Sequence, residues 1–146
     1  MRHARATVSI GGMNIADLLR RIENLLRAGT IAEVDHASAR CRVTTGGLTT
    51  GWLPWFTRRA GSTTDWDPPS VGEQCVVLCP SGIPEVGFVL VGVYSTANPP
   101  RSNSPDKHRI EWANGDFLEH DAASGALTIS CAGPVKILGS RIDLNE

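Results

Sequence analysis

Two periodicities divide the chain. From Asn14 the apolar residues fall at Ile15, Leu18, Leu19, Ile22, Leu25 and Leu26, with Arg20, Arg21, Glu23, Asn24 and Arg27 between them. This is the three-to-four-residue spacing of an amphipathic helix. It predicts a helix over residues 13–28, with Asn14 as N-cap and Gly29 as the stop. A lone helix of about four turns is marginal in water, so its stripe is expected to dock, either on its own barrel or on a partner. Residues 1–12, interrupted by Thr7, Ser9, Gly11 and Gly12, read as a flexible leader.

After Gly29 the helical period gives way to short alternating runs separated by turn residues. Thr30 to Val34 and Arg40 to Thr44 flank the polar turn Asp35-His36-Ala37-Ser38 and read as a hairpin. Leu48 to Trp55 follows, with Pro54 suggesting an edge or a bulge. Residues 57–70, rich in Arg, Gly, Ser, Thr, Asp and Pro, read as a long loop. An apolar strand running up to Cys79 and another from Val86 to Tyr94 complete the set. Five strands in about 65 residues without a crossover helix predict a small closed antiparallel barrel over residues 29–96, for which the OB fold is the common solution.

A Pro-rich linker is expected over residues 97–106. Residues 107–146 then carry only short alternating pieces: Arg109 to Trp112, Phe117 to His120, Ala126 to Cys131, Val135 to Leu138 and Ile142 to Leu144. Asn114-Gly115 and Ser124-Gly125 mark turns between them. About 40 residues of strand without a helix cannot cover both faces of their own sheet. Ile110, Trp112, Leu127, Ile129, Val135 and Ile137 are therefore expected to form a core between chains, and symmetric self-association supplies it economically.

Composition narrows the possibilities. A net charge of -1 gives no overall basic footprint for a polyanion. No apolar run approaches the roughly 20 residues of a membrane-spanning helix. Cys75 and Cys79 would lie about 13 Å apart on one strand face, too far for one disulfide or one zinc ion. The four cysteines, with Cys41 and Cys131, are thus expected to be reduced and buried. His3, His36, His108 and His120 are scattered without metal-ligand spacing, so neither metal nor cofactor is expected.

The ordered set Gly29-Thr30-Ile31-Ala32-Glu33-Val34-Asp35, Arg40-Cys41-Arg42-Val43, Gly51-Trp52-Leu53-Pro54-Trp55-Phe56-Thr57-Arg58-Arg59-Ala60-Gly61 and Pro69-Ser70-Val71-Gly72-Glu73-Gln74 resembles the baseplate assembly protein V family of contractile-tailed phages, which is related to type VI secretion spikes. The resemblance runs from about Met13 to Tyr94 and more loosely beyond. It implies a mainly β chain with an N-terminal helix, an OB-type barrel and an intertwined trimeric β-helical needle. It also implies a structural role: a baseplate spike, made in the host bacterial cytoplasm, that pierces the target outer membrane on contraction. The expected partners are two further copies of the chain and the tail hub and baseplate proteins, the hub docking on the helix stripe. The family's His-X-His apex has no counterpart in these residues. Val135, Ile137, Ile142 and Leu144 stay apolar towards Glu146, so further residues or a separate tip protein are expected to cover that end.

A different class stays in play at this point. OB barrels also bind single-stranded nucleic acid on aromatic platforms, and Trp52, Trp55, Phe56, Arg58 and Arg59 would carry that role. The expectation is against it and for packing or subunit contacts. Catalysis fares worse. Asp65 and Asp67 flank Trp66 in a loop without a cleft to separate their pKa values, and His120 and Asp121 would point to opposite faces of a strand.

Overall fold

The computed structural model describes residues 9–10 and 13–144; the expected leader falls mainly outside these. Ser9–Ile10 (β1) pairs antiparallel with Met13–Asn14 (β2), so this part of the leader and the first residue of the expected helix form a short two-stranded ladder. The chain divides into two units at Pro99/Pro100.

In the first unit, helix α1 spans Ile15–Glu23. Asn14 Oδ1 accepts the Ala16 amide at 2.9 Å, and Asp17 in the first turn pairs with Arg20 and Arg21. The cap is the expected one, but the helix is five residues shorter at its C-terminal end than the spacing predicted. Asn24 closes it, its amide donating to Arg20 O, and Leu26 already opens strand β3, Leu26–Asp35. Leu25 and Leu26 matched the helical period by coincidence. They were recruited instead by the neighbouring strand, with Leu26 opposite Leu78 and the Cys79 amide donating to Leu25 O. Gly29, the expected helix stop, lies in mid-strand opposite Cys75.

The remaining barrel strands are β4 (Arg40–Thr45), β5 (Leu48–Thr49), β6 (Leu53–Pro54), β7 (Gln74–Leu78) and β8 (Phe88–Val93). The sheet runs β5-β4-β3-β7-β8, with β6 also on β4. β3 is long enough to serve both neighbours. Its first half pairs with β7, its second half pairs with β4, and a bulge at Ala32 turns it between them. The expected third strand is interrupted between Thr49 and Leu53. There the Thr50 hydroxyl accepts the Val43 amide at 3.0 Å and takes over part of the ladder. Trp55 bridges Val89 in parallel, and the Phe56 amide donates to Val89 O at 2.9 Å. The ring of strands therefore closes, and no long edge is left to recruit another chain. Residues 57–70 are better held than their composition suggests, through an Ala60–Thr64 bridge and a Thr57 hydroxyl bond to Asp65 O.

Alternation decides the core. Ile31, Cys41, Val43, Leu53, Cys75, Val77, Cys79 and Val89 are buried, with Val34, Trp55 and Val91 packed against them. The two buried hydroxyls are satisfied, Thr45 donating to Ala28 O at 2.7 Å and Thr50 to Gly51 O at 2.8 Å.

The second unit is an antiparallel meander of β9 (Lys107–Glu111), β10 (Phe117–Asp121) and β11 (Ala126–Ser130), with β10 in the centre. Gly115 and Gly125 take the left-handed backbone conformation that their turns require. The pieces Val135 to Leu138 and Ile142 to Leu144 are not strands here. Extended residues join a sheet only where they meet free ladder groups in register, and these two pieces pair with no strand among the described residues.

Candidate functional site

The tail meander sorts its residues by chemistry. Register places Glu119 of β10 between Arg109 and Thr128, and Leu118 between Ile110 and Ile129. On one face, Glu119 accepts from Lys107 Nζ at 2.8 Å and Arg109 Nη1 at 3.0 Å, while Arg109 Nη2 reaches Glu111 at 2.7 Å. The Arg109 guanidinium also lies 3.7 Å from the centroid of the Phe117 ring. Hydrogen bonds from Lys107 and Arg109 hold the Glu119 carboxyl below its ordinary pKa; the Glu119 bond raises Lys107, and bonds to Glu111 and then Glu119 raise Arg109. Lys107, Arg109, Glu111 and Glu119 on this face are paired with one another, while Asp121 accepts turn amides.

The other face holds Ile110, Leu118, Leu127 and Ile129, with Trp112 at one end and His108 and His120 at the other. Leu127, Ile129 and Trp112 are 66%, 54% and 52% exposed, and Ile110 and Leu118 are half-buried. Val135 and Ile137, the other expected core residues, are exposed on an unpaired backbone. Within one chain none of the six reaches a core.

Helix α1 presents a second bare apolar surface. Leu18, Leu19 and Ile22 of the helix are exposed and Ile15 is half-buried, while Leu25 and Leu26, which lie beyond the helix end, are exposed as well. The helix touches the barrel through its backbone, with Gly82 set against Arg21 so closely that a Cβ would sit 2.7 Å from Arg21 Cα. That contact leaves the leucine stripe free.

Four of the five candidate nucleic-acid residues, Arg59 excepted, have local side-chain contacts. Trp55 packs on the core and its ring centroid lies 5.9 Å from that of Trp66. Phe56 meets Phe88 at 6.1 Å, and Trp52 lies beneath the Arg42 guanidinium at 5.8 Å. Arg58 Nε pairs with Asp65 Oδ2 at 2.6 Å, which also places Asp65, one of the two loop carboxylates, in an ion pair. Arg59 accepts the Asp65 amide through its carbonyl oxygen.

Three of the four thiols are buried as expected. Cys131 is exposed, because it follows β11, where no second layer exists. Burial, with Glu73 nearby, pushes the Cys41 and Cys75 thiols up to about 11, and burial also raises Cys79. A thiol-specific maleimide is expected to label Cys131 alone in the native chain and all four cysteines after unfolding. Because the buried thiols bind their protons more tightly than unfolded ones, barrel stability is expected to fall as pH rises from about 9 towards 11. Thermal melts across that range check it.

One juxtaposition escaped the sequence: His108 and His120 stand directly opposite each other on β9 and β10. Twelve residues separate them in the chain, and only the hairpin register could have revealed the pair.

Residues 27–94 match the family described as the type VI secretion system/phage-baseplate injector OB domain. The chain is also 44% identical over 117 residues to the spike protein of Escherichia phage P2, a match covering 80% of this chain and 56% of that protein. The chain thus spans about half the length of this curated relative. The closed six-stranded barrel, its parallel Trp55–Val89 contact and both resemblances agree: this chain belongs to the phage-baseplate spike family.

Proposed function

We propose that three copies of this chain form a contractile-tail spike that works mechanically, without catalysis. The observation that carries the reading is the two-sided tail sheet, with Lys107, Arg109, Glu111 and Glu119 in ion pairs on one face and a mainly apolar, exposed face on the other. Three such faces turned towards one axis bury Ile110, Leu118, Leu127 and Ile129 and leave the ionic faces in water. Val135, Ile137, Ile142 and Leu144, unpaired within one chain, then find ladder partners in the neighbouring copies and continue the sheet as an intertwined needle. The stripe from Ile15 to Leu26 docks on a hub or baseplate protein and fixes the barrel to the tail.

A narrow needle concentrates the force of a contracting sheath on a small area of the target envelope. Ladders shared between chains oppose bending at each step along it. The relative's designation as a spike protein supports this role. Light scattering coupled to size exclusion is expected to give a trimer mass at micromolar concentration, and a chain ending near Pro105 is expected to associate much more weakly. A stable full-length monomer overturns the reading.

A further inference from the structure

We propose that His108 and His120 form a two-imidazole chelate for a divalent transition metal ion, with Zn²⁺ as the type ligand. The pair is set by backbone register and not by a chance meeting of surface side chains. The Trp112 amide donates to Asp116 O at 2.9 Å, and the Ala122 amide donates to Asp106 O at 2.8 Å. Counting inwards from these two rungs makes His108–His120 a hydrogen-bonded pair of the antiparallel ladder. Directly opposed Cβ atoms in such a ladder are about 5.5 Å apart and their side chains leave the sheet on the same side. Two nitrogens bound at about 2.0–2.1 Å to one tetrahedral ion are roughly 3.3 Å apart, a separation that two imidazoles rooted at that spacing reach by ordinary rotation.

The pair stands among uncharged neighbours. Ile110, Leu118, Leu127 and Ile129 share the face and carry no charge, while Lys107, Arg109, Glu119 and Asp121 leave the sheet on the opposite side. No carboxylate is bonded to either histidine among the described residues. Zinc, which accepts nitrogen ligands readily, fits this donor set, whereas calcium and magnesium demand oxygen. Water, or imidazoles from other copies, completes the coordination. The chelate needs only one hairpin and so does not depend on the trimer.

Isothermal titration of the full chain with zinc chloride at about pH 7.5, where histidine is largely neutral, is the test. Micromolar binding is expected, at one ion per chain or one per three chains. His108→Gln and His120→Gln are each expected to weaken it at least tenfold, and His3→Gln and His36→Gln to leave it unchanged. Binding is expected to disappear at about pH 5, where protonated imidazoles cannot coordinate. Should either glutamine variant fold poorly, paramagnetic Co²⁺ added to the unaltered chain decides, by shifting the NMR signals of the Ile110 and Leu127 methyl groups before others. Absence of binding up to about 1 mM zinc, equal affinity in both glutamine variants, or Co²⁺ effects confined to another part of the chain overturns the proposal.

Discussion

A Gly29→Val chain is expected to lose about 3 kcal/mol of barrel stability, the upper end of the usual cost of overpacking a core. Gly29 lies opposite Cys75 in the part of β3 that packs tightly against Val43, Thr44 and Thr45 of β4. A Cβ there would overlap Val43 Cγ1 and sit 2.8 Å from Thr44 O and 3.3 Å from Thr45 Cβ. Two of these neighbours are a backbone carbonyl and a buried side chain of the same strand, so relief requires β4 itself to move. A domain with about 5–15 kcal/mol in hand would lose a large share, and Gly29→Ala is expected to fall between the two. Urea unfolding followed by tryptophan fluorescence measures the shift in midpoint. An unchanged midpoint would mean that β4 yields freely, contrary to its ladders with β3, β5 and β6.

Ile129→Asp is expected to abolish trimer formation while leaving the single chain nearly as stable as before. The asymmetry follows from position. Ile129 is opposite Leu118 on the apolar face and 54% exposed within one chain, so the isolated fold gains little from it. In the proposed trimer each copy would bury a carboxylate among apolar groups close to one axis, at a cost of several kcal/mol (on the order of 2–7 even for a neutral polar group lacking a hydrogen bond). Thr128→Lys, one residue away on the ionic face beside Glu119, is expected to leave the assembly intact. Light scattering separates the two variants. A trimeric Ile129→Asp chain would show that the apolar face is not the interface.

The strands of the barrel were legible because one face of each meets the core and the other meets water, which writes a period of two into the residues, and the meander shows the same alternation of apolar and charged positions. Cys41, Val43, Cys75, Val77 and Cys79 show it most clearly. The helix boundary was not legible. Leu25 and Leu26 satisfy both the helical period and the start of β3, and only the pairing with β7, about 50 residues on, decides between them. Gly29 carried an ambiguous signal for the same reason, since a glycine that ends a helix and one that admits a crossing strand look alike in sequence. Of the candidate sites, the apolar sides of the helix and tail could be read from spacing alone, whereas the histidine pair depends on which rung of a hairpin each residue occupies.

The connectivity of the two units has a kinetic consequence. The meander joins neighbours through turns of four or five residues, contacts of the kind that form in microseconds. The barrel cannot finish until Leu26 finds Leu78 and Trp55 finds Val89, searches across long loops that place small β barrels in the millisecond-to-second range. During refolding the hairpins are therefore expected to form early and display their apolar side while the barrel is still closing. Yield should then be best in dilute solution, where barrel closure outpaces encounters between half-formed chains.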